Sequence, residues 1–422
     1  MEVGIIGLPK VGKTTLFNTL TASRQSTNAY QVSSQVNVAV ASVPDPRLSR
    51  LRDHYQPKKF TPATVIYVDI PGIQKGGGAE SLDLARLREV DALAHVVRVF
   101  DDPEILHSEG AVDPERDIEI VDLELILADL DIVTRRIERL DKAQKRGLSA
   151  DEQRERALLT DTFLPTLEAE QPLRTLELAA ADERRLRGFQ LLSAKPLLLV
   201  MNVDEDALAD VSRSTQKAGA EAGHYKAIGV DPRDLKRAGH CKAIGVDPRD
   251  LERAGHYNSE DVDPHAHDGS NGRAQGNIGQ AGQDKNVRYP EVVTVSAPIE
   301  EEISHLDAEH QAEFLADLGL AEPSLDRVIR ASYRLLGLIS FFTVGEDEVR
   351  AWTLRHGTHA RKAGGAIHSD IERGFIRAEV TAWEDLLDLG SLSSCRDQGL
   401  LRLEGKDYLV QDGEVVHFRF NV

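Results

Sequence analysis

Four residues near the N-terminus have the types and spacing of a phosphate-binding loop: Gly7, Gly12, Lys13 and Thr14 in the pattern Gly-x-x-x-x-Gly-Lys-Thr. A short apolar run precedes this pattern and a helix-like stretch follows it, which is the context that the pattern requires. Glycines let backbone N–H groups turn inward around phosphates, and the positive end of the helix dipole adds to the attraction. We therefore expect a nucleoside triphosphate here, with Lys13 at the β and γ phosphates and the Thr14 hydroxyl on Mg²⁺. The other nucleotide contacts predicted in this loop are Lys10, Val11 and Thr15.

An aspartate and a glycine follow the next apolar run, residues 65–68. A strand that ends in Asp69 places its carboxylate at the carboxyl edge of a sheet, near the Mg²⁺ shell. Gly72, three residues later, is placed to donate its backbone N–H to the γ-phosphate. Asp-x-x-Gly alone is typical of a turn, but its position after a strand and downstream of a phosphate loop favours a metal ligand.

The residue after this glycine bears on hydrolysis. Ile73 stands where Ras-type GTPases have the glutamine that orients the attacking water, and isoleucine cannot hold a water. The sequence therefore predicts either slow hydrolysis or another group in that role. His107 is one candidate because it lies in a loop near the nucleotide edge of the sheet, and a surface loop histidine is the alternative. His95, within the apolar stretch ALAHVVRVF, is interpreted as strand core.

The stretch NAYQVSSQVNVAV lies between the loop and the aspartate, in the place of a nucleotide-sensing switch. Ser33 is the predicted metal ligand of this stretch, since its hydroxyl could close on Mg²⁺. Ser34 is an equal candidate, and polar loop filler explains both serines as well.

A segment that could read the base begins at residue 202 and has the sequence Asn-Val-Asp-Glu, where a guanine reader would have Asn-Lys-x-Asp. In a guanine site the aspartate carboxylate accepts hydrogen bonds from N1–H and the exocyclic amine of the base. The glutamate is one methylene longer, which moves its oxygens by roughly 1.5 Å, and valine lacks the lysine side chain that packs on the nucleotide. These changes predict a weakened guanine preference without proving adenine, and a plain polar loop is the alternative. The nucleotide contacts expected in this region are Asn202, Val203 and Glu205, together with Ser296 and Ala297 at the end of a later strand.

Composition and charge limit the classes of protein to consider. The chain has 422 residues, a hydrophobic fraction of 41% and a formal net charge of −19. It has no apolar run of about 18 residues, as a membrane span needs, and no signal-peptide pattern, so we expect a cytoplasmic protein with no membrane partner. The two cysteines lie in unrelated contexts and suggest neither a disulfide nor a metal site. An acidic surface repels phosphate backbones, so local RNA contact would need the cluster Arg355, Arg361 and Lys362, which a solvated face also explains.

Sequence periodicity predicts the elements that position these residues. The motifs, with their flanking strands and helices, indicate an α/β, P-loop GTPase-like domain over residues 1–120 and 191–305. A heptad seam predicts an inserted antiparallel helical hairpin over residues 121–190. The hairpin is either a partner-binding arm or a structural helix pair. The seam residues are Ile126, Leu130, Val133, Ile137 and Leu140.

Two further regions complete the predicted organisation. Residues 207–289 hold a tandem repeat with a period of 16 residues, YKAIGVDPRDLKRAGH then CKAIGVDPRDLERAGH, and a stretch rich in Gly, Asn, Asp and His. Two copies are too few for a solenoid, so this region is interpreted as a flexible insertion that either lacks a function or contains a binding segment. Residues 338–421 alternate short strands with one helix and end in a predicted hairpin at residues 411–413, which suits a small α+β domain of the β-grasp class.

Together these stretches resemble the Obg-related P-loop ATPases of the YchF type, within the translation-factor GTPase class. The matching stretches are GIIGLPKVGKTTLFNTLT, VPDPRL, YVDIPG, HVVRVF, LELILADLDIVTRRIERL, AKPLLLVMNVDED and nearly all of residues 311–422. The last region includes EVRAWTLRHGTHARKAGGAIHSDIERGFIRAEV and LEGKDYLVQDGEVVHFRFNV. The resemblance covers most of the chain apart from residues 207–289.

This resemblance implies Mg²⁺-dependent ATP binding and hydrolysis on a GTPase-like fold, a C-terminal TGS domain and association with ribosomes or ribosomal subunits. It places Asn202 and Val203 beside the base, and His107 at the position of a histidine implicated in hydrolysis. The chain departs from the family at Lys10, where an asparagine linked to monovalent-cation assistance is usual, so potassium stimulation is not implied. Ser33 replaces the usual switch threonine, and the glycine-rich switch after Gly72 is shortened.

Three functions are compatible with the sequence. The first is a slow, ribosome-associated ATPase switch. The second is a GTPase with relaxed base preference. The third is a nucleotide-gated module that binds ribosomes or RNA and hydrolyses little.

Overall fold

Two sheets form the framework of the molecule, which a computed structural model describes over residues 1–22, 37–73, 84–208 and 291–421. The strands are β1 (Glu2–Ile6), β2 (Val38–Ser42), β3 (Lys59–Thr61), β4 (Thr64–Asp69), β5 (Ala92–Arg98), β6 (Leu197–Asn202), β7 (Val292–Val295), β8 (Leu338–Thr343), β9 (Glu348–Arg355), β10 (Phe375–Ala382), β11 (Arg402–Glu404) and β12 (Glu414–Phe420). The first sheet has the order β2-β4-β1-β5-β6-β7, and the second has the order β11-β10-β12-β8-β9-β3.

The described residues also form the following α-helices: α1 (Lys13–Ala22), α2 (Pro46–Tyr55), α3 (Leu84–Glu89), α4 (Pro114–Gln144), α5 (Ala150–Leu158), α6 (Leu164–Glu168), α7 (Ala180–Arg187), α8 (Ala297–His305), α9 (Ala308–Asp317), α10 (Ser324–Leu335), α11 (Ala360–Ile367), α12 (Ser369–Arg373), α13 (Trp383–Leu389) and α14 (Leu392–Asp397). A π-helical turn, Leu159–Phe163, connects α5 to α6, and Leu173–Thr175 is a 3₁₀ turn. None of the helices in these parts of the chain combines the length and the apolar character that a bilayer crossing requires.

The first sheet is parallel except at its edge, where β2 pairs antiparallel with β4. Strands β5 and β6 are buried along their whole length, as their continuous apolar sequences predict. The parallel register brings the carboxyl ends of β1, β4, β5, β6 and β7 to one edge, where ligands bind in open α/β sheets. The phosphate loop, Asp69 and Asn202 lie at this edge. The predicted P-loop GTPase-like fold is therefore confirmed.

A helical hairpin follows β5 in the chain. Its first arm is α4, a helix of 31 residues with Pro114 at its first turn, and its second arm is the continuous helical run from α5 to α6. All five seam residues lie in one apolar cluster with Leu159, Phe163 and Leu167 of the second arm. Pro165 has no N–H for an α-helical hydrogen bond, which explains why the second arm contains a π-helical turn just before it.

The C-terminal region is a small α+β domain built on the second sheet. Strand β12 lies between β10 and β8, antiparallel to β10 and parallel to β8, over a core that includes Phe341, Val380 and Phe418. The β-grasp class is supported, but two details of the expectation are wrong. The domain contains four short helices rather than one, α11 and α12 before β10 and α13 and α14 after it. The turn before Glu414 leads into β12, which does not pair with the segment before the turn, so it is not a hairpin.

Strand β3 was missed from the sequence. It belongs to the β2–β4 connection of the nucleotide domain, yet it forms the edge of the C-terminal sheet by pairing with β9. Three residues are too short a run for alternation to be visible in the sequence. Three features singled out in the sequence lie outside the described residues: Ser33 and Ser34, the glycine-rich switch after Gly72, and all but the first two residues of the 207–289 insertion.

Candidate nucleotide site

The centre of the phosphate loop is the ammonium group of Lys13. Its Nζ donates to the carbonyl oxygen of Gly7 at 3.1 Å and to that of Leu8 at 2.6 Å, and the residue is 7% exposed. Burial lowers the pKa of Lys13 from 10.5 to about 8, while the nearby Asp69 carboxylate opposes that shift. Burial disfavours the charged form of this ammonium group, and the two carbonyl acceptors offset that cost only in part. An anion bound beside Lys13 would stabilise the charged form further.

Glycine is required where the loop meets the rest of the site. A Cβ on Gly12, whose φ is +97°, would lie 2.3 Å from the Asn202 amide nitrogen. A Cβ on Gly72 would lie 3.1 Å from Lys13 Nζ and 3.3 Å from the Pro9 backbone. The loop, the base-reading segment and the Asp-x-x-Gly turn are thus packed in direct contact, with Gly72 beside the lysine that is expected to hold the phosphates.

Asn202 connects three of the predicted segments. Its Nδ2 donates to the Val11 carbonyl oxygen at 3.0 Å, and its Oδ1 accepts from the Ala297 N–H at 3.0 Å. Asn202, Ser296 and Ala297 are all buried. The amide side chain therefore joins the phosphate loop to the start of α8, and its role in the structure is to position both walls of the pocket. The sequence placed Asn202 in the pocket but did not reveal this bridge.

The rest of the base-reading segment divides between core and solvent. Val203 is 1% exposed and lies in an apolar cluster with Leu208, Ile299 and Ile303. Glu205 is exposed at the first position of a helical turn, where the preceding Asp204 accepts a hydrogen bond from the Ala207 N–H at 2.8 Å. Such capping is what aspartate does at a helix N-terminus. Val203 therefore stabilises the floor below the pocket, and the contact of Glu205 with the base stays a prediction.

The residues available to a metal ion fit Mg²⁺. Thr14 is exposed in the first turn of α1, so its hydroxyl is accessible, and Asp69 is half-buried at the end of β4. Burial raises the pKa of Asp69, and the charge of Lys13 opposes that shift. Within the described parts of the chain, no three His, Cys, Asp or Glu side chains are grouped as a metal site. One hydroxyl and one carboxylate, both hard oxygen donors, match an ion that keeps waters and binds substrate phosphates rather than a complete protein cage.

The His107 side chain is buried although its backbone is partly exposed, so its interpretation as a surface loop histidine is wrong. Its side chain is 3% exposed, its Nδ1 accepts from the Glu109 N–H at 3.1 Å, and its Nε2 is 2.9 Å from Asp117 Oδ2 without the alignment of a hydrogen bond. With Nδ1 accepting, the proton of the neutral ring is on Nε2, facing the carboxylate. In this arrangement Nδ1 is already hydrogen-bonded and Nε2 is buried against Asp117, so neither ring nitrogen is open to solvent.

Three residues of the sequence analysis remain to be placed: Lys10, Thr15 and Ile73. Lys10 is exposed and has a φ of +61°, a conformation that asparagine or glycine adopts more readily than lysine. Thr15 is half-buried in α1. Ile73 is fully buried and donates its N–H to the Gly7 carbonyl oxygen at 3.0 Å, so its side chain belongs to the core rather than to a water-orienting position.

Two positioning residues were not predicted. Arg98 is 1% exposed and donates to the carbonyl oxygens of Phe100 at 3.1 Å and Ile105 at 2.8 Å, which holds the loop that carries His107. Asp117, near the start of α4, contacts the same loop, with its Oδ2 2.9 Å from His107 Nε2. A charged residue inside the apolar stretch HVVRVF was a signal for Arg98. Asp117 had no such signal, because acidic residues are common in the first turn of any helix.

Comparison with known families agrees with this geometry. Residues 2–128 match a family model described as "50S ribosome-binding GTPase". Residues 338–421 match the model YchF-GTPase_C, whose description reads "Protein of unknown function (DUF933)".

Individual relatives are similar over the whole chain. It is 39% identical to the Bacillus subtilis (strain 168) protein named "Ribosome-binding ATPase YchF", with all of both chains covered. It is 37% identical to the protein of the same name from Escherichia coli O157:H7, covering all of this chain and 99% of the relative. The solved structure titled "Structure of the Schizosaccharomyces pombe YchF GTPase" superposes with a TM-score of 0.74 at 28% identity, covering 99% of this chain and 97% of that one. The full-length identity to these relatives shows that the chain belongs to the YchF family.

Proposed function

We propose that the protein is a Mg²⁺-dependent ATPase switch that acts on ribosomes. The observation that carries the nucleotide part is the Lys13 ammonium: it is buried, it lies beside Gly72, and its hydrogen-bond acceptors among the described residues are the backbone carbonyls of Gly7 and Leu8. A triphosphate in the loop would provide anionic hydrogen-bond acceptors in place of the two carbonyls, and the Gly72 N–H and the start of α1 would add donors around the phosphates.

The proposed chemistry is phosphoryl transfer to water by positioning and charge stabilisation. Lys13 leaves the Gly7 and Leu8 carbonyls and contacts the β and γ phosphates. Thr14 and Asp69 would hold Mg²⁺, with Ser33 as a further proposed ligand, and the ion would supply positive charge against the negative charge that develops on the transferred group. His107 takes part in hydrolysis only after it separates from Asp117, and this requirement supports a slow basal rate.

We propose ATP rather than GTP as the principal nucleotide. The guanine-reading lysine is absent, and Val203, which replaces it, is part of the apolar cluster beneath the pocket. The carboxylate that would read guanine is displaced by a methylene on the exposed Glu205. The names of the relatives from Bacillus subtilis and Escherichia coli O157:H7 also support ATP.

The ribosome is the proposed partner, and the cytoplasm is the proposed location, because that is where ribosomes work. The support is the printed name of the relatives and the match of the N-terminal family model. The basic cluster proposed for RNA contact gives little support to a ribosomal partner, because all three of its side chains already have partners in the protein. Arg355 is 3.6 Å from Asp91, and Lys362 is 2.7 Å from the Glu372 carboxylate. Arg361 donates to the Glu372 carbonyl oxygen at 3.1 Å. RNA contact there would have to displace these partners.

Calorimetric titration of the wild-type chain with ATP and with GTP, each with Mg²⁺, tests the proposal. We expect ATP to bind at least about tenfold more tightly, a difference that corresponds to about 1.4 kcal/mol. GTP binding that equals or exceeds ATP binding would favour the GTPase with relaxed base preference. Turnover that is the same in the wild type and in Lys13→Ala would favour a nucleotide-gated module without hydrolysis.

A further inference from the structure

The connection between β2 and β4, residues 43–63, belongs to both halves of the molecule. It starts and ends in the nucleotide domain, where Val43 N–H donates to the Ala63 carbonyl oxygen at 2.7 Å. Between these points α2 and β3 lie against the C-terminal domain. We name residues 43–63 the connecting segment.

One face of α2 contacts the C-terminal domain through three side chains spaced i, i+3 and i+7. Arg47 is ion-paired with Asp412 at 2.8 Å, and the Arg50 guanidinium lies 4.9 Å from the Trp383 ring centroid. His54 Nε2 is 3.0 Å from the Gly390 carbonyl oxygen. These positions form one stripe on a helix, so the whole helix is fixed and not one side chain alone.

Arg47 is the most constrained of these contacts. Asp45, the N-cap of α2, accepts from Arg47 Nε at 2.9 Å, so the guanidinium is held before it reaches Asp412. Asp412 in turn accepts from the Ser340 N–H at 2.8 Å, which joins it to β8. The guanidinium also lies 5.4 Å from the Phe342 ring centroid. Because both partners are already held by other hydrogen bonds, this pair loses less side-chain entropy than a pair of free surface side chains, and it is the stronger contact for that reason.

The second contact is a shared strand. Lys59, Phe60 and Thr61 of β3 pair in parallel with Glu348, Val349 and Arg350 of β9. The Thr61 hydroxyl donates to Glu348 Oε1 at 2.6 Å. The nucleotide domain therefore supplies the edge strand of the C-terminal sheet.

Strands β2 and β4, on either side of the connecting segment, form an antiparallel pair, and the end of this pair away from the segment is at the nucleotide site. Strand β4 ends at Asp69, whose N–H donates to the Asn37 carbonyl oxygen at 3.1 Å just before β2 begins. The two strands are paired along their length, from Val38 with Val68 to Ser42 with Thr64. The predicted Mg²⁺ ligand is thus at one end of a paired hairpin, and the C-terminal sheet is attached to the other end.

We propose that the connecting segment couples the nucleotide site to the C-terminal domain, so that nucleotide at Lys13 and Asp69 changes the stability of the β3–β9 pairing, and contacts of the C-terminal domain change nucleotide affinity. The proposal rests on the nucleotide binding proposed above. Coupling of this kind is reciprocal, because both effects are the same free-energy difference measured from two sites.

The first test compares two cation-to-methionine variants of this interface. Arg47→Met removes the constrained pair and keeps an apolar stem, whereas Lys58→Met removes a pair with Asp347 whose side chains are 80% and 89% exposed. We expect Arg47→Met to change the dissociation constant of Mg·ATP at least about fivefold, the lower end of typical allosteric coupling. We expect Lys58→Met to stay within about twofold, since exposed pairs contribute little. Thermal unfolding of both variants checks that they are folded.

The second test uses the wild-type chain and does not depend on a variant. Hydrogen exchange at residues 58–61 and 348–351 is measured with and without saturating Mg·ATP, and we expect exchange in the presence of nucleotide to be slower. Equal exchange, together with ATP affinity in Arg47→Met equal to that of the wild type, would overturn the coupling and leave the proposed function intact. A wild-type chain that binds no ATP would overturn the proposed function, and the coupling with it.

Discussion

The bridge made by Asn202 gives the most direct test of the site geometry. Replacing Asn202 with alanine removes the partner of the Val11 carbonyl oxygen and the partner of the Ala297 N–H, and both residues are at most 2% exposed. A buried polar group left without a partner costs about 1–3 kcal/mol. Two such groups give an expected loss of about 2–6 kcal/mol in the free energy of unfolding, because water has little access to replace the lost partners.

Urea unfolding followed by circular dichroism measures this loss, and Asn18→Ala is the matched control. Asn18 is exposed on α1, so its replacement should change stability by no more than about 0.5 kcal/mol. Asn202→Asp separates the two bonds: it keeps an acceptor for the Ala297 N–H but places a carboxylate oxygen against the Val11 carbonyl oxygen. The Asn202→Asp variant should therefore also have a lower free energy of unfolding than the wild type. If Asn202→Ala lost less than about 1 kcal/mol, the bridge would not be the connection described here, and the loop would be held by other contacts.

Three further predictions follow from other groups of the site. Without nucleotide the pKa of Lys13 is about 8, and a bound phosphate would raise it. ATP affinity should therefore be constant below pH 8 and fall by up to about tenfold per pH unit above it, because the deprotonated lysine must first take up a proton. Calorimetric titrations with ATP between pH 7 and 9.5 would measure this. Burial lowers the pKa of His95 from 6.5 to about 4, so the free energy of unfolding should fall by about 3 kcal/mol as the pH falls from 6.5 to 4. The free energy of unfolding of His95→Gln, measured by urea unfolding, should fall less over the same pH range. His107→Gln should reduce ATP turnover at least about tenfold and leave ATP affinity within about twofold, and a normal rate in steady-state assays would remove His107 from the mechanism.

The outline of the site could be predicted because its residues are tied to short sequence patterns. The Gly-Lys-Thr run, the aspartate after an apolar strand and the asparagine after another such strand each have a fixed place at the carboxyl edge of a parallel sheet. Once the strand order is that of a P-loop domain, Lys13, Asp69 and Asn202 have to converge. Local sequence was sufficient here because each pattern combines a functional residue with the strand that positions it.

The features that were missed depend on contacts between distant parts of the chain. The pairing of β3 with β9 joins residues that are far apart in sequence, and nothing in the three residues Lys59–Thr61 indicates a partner. His107 was expected in a loop, and it is in one, but its burial depends on Asp117 and on the carbonyl contacts of Arg98. Loops of this kind have no hydrophobic period, so whether a polar side chain faces solvent or the protein is decided by tertiary contacts alone.

In the base-reading segment, the residue that departs from the guanine-binding motif, Val203, has a structural role of its own. Val203 takes the place of a lysine that would lie on the nucleotide, and in the structure it contributes to the apolar cluster under α8 and α9. A lysine at this position would have to bury its ammonium in that cluster or reorient away from it, and either choice disturbs the packing that supports Asn202 and Ala297. The valine is therefore compatible with a rigid pocket floor, while the loss of guanine contacts is compatible with another purine. The two properties involve two positions: Val203 contributes to the packing beside Asn202, whereas the longer Glu205 side chain would move the carboxylate away from a guanine base.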